Sequence, residues 1–262
     1  MQDTQAFPDQ RMVKIAKVGI TEVNYPILFQ DQNQIASQVL PSTANFSFFV
    51  ELPAHKKGTH MSRFPSILYE FGSLLSIQKL EKMAAQINER LESSKAYIKT
   101  SFQFFYEKEA PVSKIKGIAN VDVTIEVSSC LTTRTKESIL QVKVPIKSLC
   151  PCSKAISEYG AHSQRSFITL RLWQPSLSIQ DCIKIAELSA SSAVYPILKR
   201  VDEKFVTEKA YNTPRFVEDL VREAAIHLKE KDNSLKFEIT AENFESIHNH
   251  NAWAFVTSDD LF

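Results

Sequence analysis

The sequence predicts an α+β fold with antiparallel sheets and helices packed on one face. Three observations carry that prediction. Eight segments rich in β-branched and aromatic residues run or alternate in hydrophobicity, as strands do. They fall in hairpin-like pairs before and after helical stretches, which argues against a one-by-one βα alternation. The five glycines, at 19, 58, 72, 117 and 160, are too scattered for a GxGxxG turn or a P-loop, which argues against a doubly wound nucleotide fold.

The elements follow in order. VKIAKVGI from Val13 and ANFSFFVEL from Ala44 read as the first two strands. Leu74, Leu75, Leu80, Met83, Ala84, Ile87 and Leu91 recur at three- and four-residue spacing, predicting one long amphipathic helix. AYIKTSFQFFYE from Ala96, GIANVDVTIEV from Gly117, ILQVKVPI from Ile139 and SFITLRLW from Ser166 are four more strands. Ser178 reads as the N-cap of a helix running toward Lys199, with Asp181 in its first turn. Thr213 and Pro214 read as the start of a second helix, because proline suits the first helical position. LKFEITAENF from Leu235 and AWAFVTS from Ala252 close the series. The two halves share an order of elements without evident residue identity.

Composition narrows the function. Hydrophobic residues are 44% and charged residues 23%, values usual for a soluble globular chain. Thirty-one Lys and Arg against 30 Asp and Glu leave a formal charge of +1. No global field then recruits nucleic acid or an anionic membrane, and any phosphate-binding charge must be gathered locally. The N-terminus, MQDTQAFPDQRM, lacks an apolar signal segment, and no apolar run approaches the ~20 residues of a membrane span. Four cysteines do not form a disulfide framework, so the expected compartment is the cytoplasm. Cys130 and Cys182 sit in apolar surroundings and read as buried thiols.

Four clusters carry chemistry. SLCPCSKAISEYGAHSQRS, from Ser148, sets Cys150 and Cys152 a single residue apart and His162 twelve residues after Cys150, on a loop between strands. Thiolate and imidazole suit zinc, manganese or iron in a site that keeps a position open for water. KRVDEKFVTEKAY, from Lys199, holds Asp202, Glu203 and Glu208 among basic residues. ENFESIHNH, from Glu242, offers Glu245, His248 and His250; in an extended segment the two histidines face the same side. KKGTHMSRF, from Lys56, adds Lys57, His60 and Arg63 at a strand exit, chemistry that suits a phosphate-bearing substrate.

Together, in order and across nearly the whole chain, these segments and DEKFVTEKAYNTPRFVED resemble the signature motifs of the prokaryotic type IB GTP cyclohydrolases. The resemblance implies two tandem tunnelling-fold modules, residues 1–130 and 131–262, the second carrying most of the metal and purine site. It also implies conversion of GTP and water to 7,8-dihydroneopterin triphosphate and formate by a homo-oligomer, expected to be a homotetramer with sites near subunit interfaces. By the same resemblance Cys150, His162 and Glu203 would hold a divalent transition metal, with Asp202 one residue away from the Glu203 position. Glu218 would accept from the guanine edge. His248, His250, Glu245 and Cys152 would move protons or shape the metal site, and Lys57, His60, Arg63, Lys154 and Arg165 form the pool for the triphosphate. Two rivals remain open: a nitrile reductase-like enzyme of the same fold with a cysteine nucleophile, and a non-catalytic purine-binding protein.

Overall fold

A computed structural model describes residue 5 and residues 7–32, 34–35 and 38–260. Among them lie ten strands: β1 (Ile15–Phe29), β2 (Pro41–Leu52), β3 (Leu74–Leu75), β4 (Lys95–Glu109), β5 (Lys116–Cys130), β6 (Thr135–Leu149), β7 (Ser163–Trp173), β8 (Ser192–Ala193), β9 (Lys236–Asn243) and β10 (Ala252–Thr257). The six α-helices are α1 (Arg63–Phe71), α2 (Ile77–Leu91), α3 (Pro151–Ile156), α4 (Ile179–Ser189), α5 (Arg200–Asn212) and α6 (Val217–Lys231). All eight predicted strands form, and β3 and β8 are two-residue additions. The fold class is as expected.

The chain divides into two compact units. Unit 1 comprises the described residues of Met1–Gln30, Gln34–Gln103 and Thr124–Ile139; unit 2 comprises those of Asp31–Asn33, Phe104–Val123 and Leu140–Phe262. Strands β4, β5 and β6 each contribute residues to both. In unit 1, β2 pairs antiparallel with β1 and with β4, and β3 lies parallel to the end of β1. Buried residues alternate along β2, so Ala44, Phe46, Phe48 and Val50 face the core. Phe64, Ile67, Leu80, Met83 and Ile87 from α1 and α2 are buried in the same unit. Each such side chain removed from water contributes ~1.5–3 kcal/mol.

In unit 2, β9 lies between β7 and β10, antiparallel to both, and β8 pairs with β6. Helix α6 packs on β9 and β10 and against α4. Ile168, Leu170, Phe237 and Ile239 thereby meet an apolar helix stripe that includes Leu220, Ala224 and Leu228.

The helix boundaries correct the sequence reading at three places. Leu74 and Leu75 belong to β3, and α2 starts only after Ser76, whose hydroxyl accepts from Lys79 N at 3.3 Å. Ser178 and Asp181 do cap α4 reciprocally, but that helix stops at Ser189, ten residues short of Lys199. Thr213 ends α5, and α6 begins at Val217. Apolar spacing alone did not separate a two-residue strand from a helical turn.

Asp202 explains why α5 stands where it does. Its side chain is fully buried and accepts from Val112 N (2.9 Å), Ser113 N (2.8 Å), Ser113 Oγ (2.6 Å) and Lys199 N (2.9 Å). It thus pins the β4–β5 turn to the first turn of α5. Burial by itself raises the carboxyl pKa, but the bonds from Ser113, Lys199 and Val112 prevail and hold it well below the ordinary range. Asp202→Ala leaves three backbone donors without their acceptor, and the thermal midpoint should fall by roughly 5 °C or more. The lowered pKa gives this contribution a sign: it is present above the unfolded carboxylate value of about 4 and lost as pH falls below it. A circular-dichroism melt unchanged by the substitution would refute this role.

Candidate active site

Cys150 and His162 meet through the backbone of one short helix. Cys150 is the N-cap of α3 in an extended conformation (φ −70°, ψ 119°), and Pro151 occupies the first turn, where its missing N–H costs nothing. The Cys150 sulfur accepts from Ser153 N at 3.4 Å. Gly160, at φ +121°, lets the chain turn back where an L side chain would be strained. The return is closed by Cys150 N donating to the His162 carbonyl at 3.1 Å and His162 N donating to Ser153 Oγ at 3.2 Å. The segment expected to be a loop therefore contains a helix. It separates the two thiols, leaving Cys150 half-buried and Cys152 exposed.

Behind His162 lies a polar network. Its Nδ1 is 3.0 Å from Gln164 Oε1, while Gln164 Nε2 donates to Ser148 Oγ (3.0 Å) and to Glu245 Oε1 (3.3 Å). Ser148 Oγ is in turn 2.7 Å from Ser166 Oγ. The His162 and Glu245 side chains are 14% and 12% exposed and approach to 3.9 Å, beyond hydrogen-bond distance, so Glu245 meets the imidazole through Gln164. His248 and His250 do lie together, their rings stacked at 5.1 Å, but in an exposed turn between β9 and β10 and not on a strand.

The other expected residues are distributed more widely. Glu203 is exposed on α5, beside Arg200, Lys204, Thr207 and Glu208. Its neighbour Asp202 is consumed by structural bonds, which leaves Glu203 as the available carboxylate of that pair. Glu218 is exposed in the first turn of α6, where a helix N-terminus favours negative charge. Lys154 donates to the Tyr211 carbonyl and lies over that ring at 4.3 Å, and Arg165 is exposed on β7. In unit 1, His60 and Arg63 line a cavity of about 320 Å³ with Lys56, Glu51 and Glu92, while Lys57 is exposed nearby in sequence. Arg63 opens α1 and donates to the Arg90 carbonyl, so its guanidinium is partly engaged.

Among the described residues, no three His, Cys, Asp or Glu side chains converge as a ready metal-holding group. The donor chemistry of the pair nevertheless fits a transition metal. A thiol stands at one side, and the imidazole has its Nδ1 committed to Gln164, which leaves Nε2 to present. Cys182 is fully buried, and burial pushes its thiol pKa up, as an inert core thiol requires. Cys130 differs from expectation: it is only half-buried, and a bond from Thr133 lowers its pKa.

Gln164, Ser148 and Ser153 were not among the residues singled out from sequence. The available signal was Gln164 and Ser166 occupying the inward register of β7, in line with Ile168 and Leu170.

The architecture is that of the urate oxidases. The chain superimposes on uricase from Arthrobacter globiformis with a TM-score of 0.56 at 7% identity, covering 92% of each chain. It matches urate oxidase from Bacillus subtilis 168 with a TM-score of 0.51 at 8% identity, over 92% of this chain and 97% of that one. At such identity the likeness concerns the fold, an α+β tunnelling fold. Sequence then resolves the family. Residues 1–254 match the family described as "Type I GTP cyclohydrolase folE2". GTP cyclohydrolase FolE2 of Citrifermentans bemidjiense is 44% identical over 98% of this chain and 94% of its own. The FolE2 of Pelobacter propionicus is 42% identical over 99% of both chains. This chain belongs to the type I GTP cyclohydrolase FolE2 family. Membership makes it an enzyme, a GTP cyclohydrolase, and the nitrile reductase and non-catalytic readings fall away. No helix among the described residues is long and apolar enough to cross a membrane.

Proposed function

We propose that the chain takes GTP and water to 7,8-dihydroneopterin triphosphate and formate in the cytoplasm, using a site in unit 2 built on Cys150 and His162. The observation that carries this reading is the Gln164 amide bridging the His162 imidazole and the Glu245 carboxylate, with the Cys150 backbone bonded to that of His162, in a chain matched by the family over almost its full length. Cys150 and His162 hold a divalent metal, zinc, manganese or iron, with Glu203 as third ligand. When bound, the metal supplies Lewis acidity that brings a water nucleophile within reach near neutral pH.

The chain's own groups supply the rest. Glu218 accepts from guanine N1–H and the 2-amino group, fixing the base so that C8 meets the attacking water. Addition at C8 opens the imidazole ring to a formamide, and a second hydrolysis releases formate. The freed amine then closes on the rearranged ribose to form the pterin. Each of these steps moves a proton, and Glu245, His248 and His250 are the acid–base groups, with Cys152 beside the metal site. Lys57, His60, Arg63, Lys154 and Arg165 remain the basic pool for the triphosphate.

The tandem-module division at 130/131 is also part of this proposal. It falls in the β5–β6 turn, and in each half a two-residue strand follows a helix, α1 in the first and α4 in the second, and pairs with that half's first strand. A homotetramer is proposed as the working assembly. Trp253 and Phe255, stacked at 5.9 Å on the sheet-edge strand β10, are 61% and 46% exposed and supply apolar surface for it.

The test is direct. Chelated protein incubated with GTP should form neither fluorescent pterin nor formate, and a divalent transition metal should restore both. Glu203→Gln should lose bound metal, whereas Glu245→Gln should keep it and lose turnover; the reverse pattern would make Glu245 the ligand. Turnover in rigorously metal-free protein would refute the mechanism. Light scattering reports the assembly, and a mass other than that of four chains would refute the tetramer.

A further inference from the structure

We infer that Gln164 is a positioning residue that sets the His162 tautomer and couples it to Glu245. The inference rests on His162 being a metal ligand, but its geometry stands separately. The Gln164 side chain is 8% exposed and engaged at both ends. Its amide nitrogen has two hydrogens and two acceptors in reach, Ser148 Oγ at 3.0 Å and Glu245 Oε1 at 3.3 Å. Reversing the amide would set its carbonyl oxygen against the Glu245 carboxylate, two acceptors facing one another with no hydrogen between them. The oxygen therefore faces His162, and at 3.0 Å from Nδ1 it can only accept. His162 must then carry its proton on Nδ1 and present the Nε2 lone pair.

The network is anchored behind Gln164. Because Ser148 Oγ accepts from the amide, its own proton is available to Ser166 Oγ at 2.7 Å, and both serines are buried. β6 and β7, neighbouring strands, supply these anchors, so the amide plane is held by the sheet. A neutral imidazole in solution prefers no single partner, whereas here one tautomer has an acceptor waiting and the other would face a carbonyl lone pair. The same amide holds the Glu245 carboxylate 3.9 Å from the ring. One side chain thus sets both the presenting nitrogen of the ligand and the place of the nearest proton-handling carboxylate.

Two substitutions separate these effects. Gln164→Leu removes acceptor and donors at similar volume. Gln164→Glu keeps an acceptor for Nδ1–H while losing the donors to Ser148 and Glu245. Long-range ¹H–¹⁵N spectra of the metal-free, full-length protein should show His162 protonated on Nδ1 in the wild type and in Gln164→Glu, and mixed tautomers in Gln164→Leu. Titration with Co²⁺, read by its thiolate charge-transfer band, should show affinity weakened about 10- to 100-fold in Gln164→Leu. Melting curves of all three proteins confirm that each is folded. A wild-type His162 protonated on Nε2, or Co²⁺ affinity within twofold in a folded Gln164→Leu, would overturn the inference. A wild type with the Nδ1–H tautomer that takes up no Co²⁺ would overturn the metal reading and leave the tautomer assignment confirmed, so the two failures are distinguishable.

Discussion

Cys150→Ala should empty the site of metal and reduce turnover to background, whereas Cys152→Ala should keep its metal and lose about 10- to 100-fold in rate. The asymmetry follows from α3. Pro151 starts the helix, so the two thiols are an N-cap and a helical residue, and they do not share a face as they would in an extended C-P-C. Cys150 is held against the returning His162 segment by one backbone hydrogen bond, to the His162 carbonyl, and by Ser153, which donates N–H to the Cys150 sulfur and accepts from His162 N at its hydroxyl, while Cys152 is exposed. A site with three protein ligands has no spare donor, so losing its thiolate removes a full share of the coordination. Elemental analysis beside activity separates the outcomes. Metal-free Cys152→Ala with metal-loaded Cys150→Ala would reverse the assignment, and normal metal in both would remove the thiols from the ligand set.

Glu218→Gln should weaken GTP binding by roughly 2–4 kcal/mol, a 30- to 700-fold rise in Kd. An ionised carboxylate is acceptor-only and can take both hydrogens of the guanine N1–H and 2-amino edge. The amide keeps the shape but turns two of its own hydrogens toward donors, so at least one bond is lost and a buried donor is left unpaired. The position suits the role: Glu218 stands exposed in the first turn of α6, while Asp219 beside it accepts from Phe216 N at 2.9 Å. Isothermal titration with GTP and with ATP is the appropriate measurement. ATP lacks the N1–H and 2-amino donors, so the variant should lose discrimination between the two bases as well as affinity. Unchanged guanine affinity would move the anchor elsewhere, with Glu245 the next carboxylate to change.

Sequence alone determined the strands, the family and the chemistry of the donors. Strand pleats and helical stripes leave periodic hydrophobicity in the chain, which is why β2 and β9 were legible residue by residue. The thiols, imidazoles and carboxylates were legible because their chemistry belongs to the residue type and their order to the motif. What the sequence could not contain is which polar groups are already spent. Asp202 and Glu203 are adjacent and equally acidic on paper, yet four hydrogen bonds fully consume one inside the fold and leave the other exposed. Gln164 and Glu245 are 81 positions apart, and only the pairing of β7 with β9 brings the end of one strand beside the turn that leaves the other. Hydrogen bonding between distant segments is a property of three-dimensional register, and so the tautomer of His162, unlike its identity, was decided by tertiary structure alone.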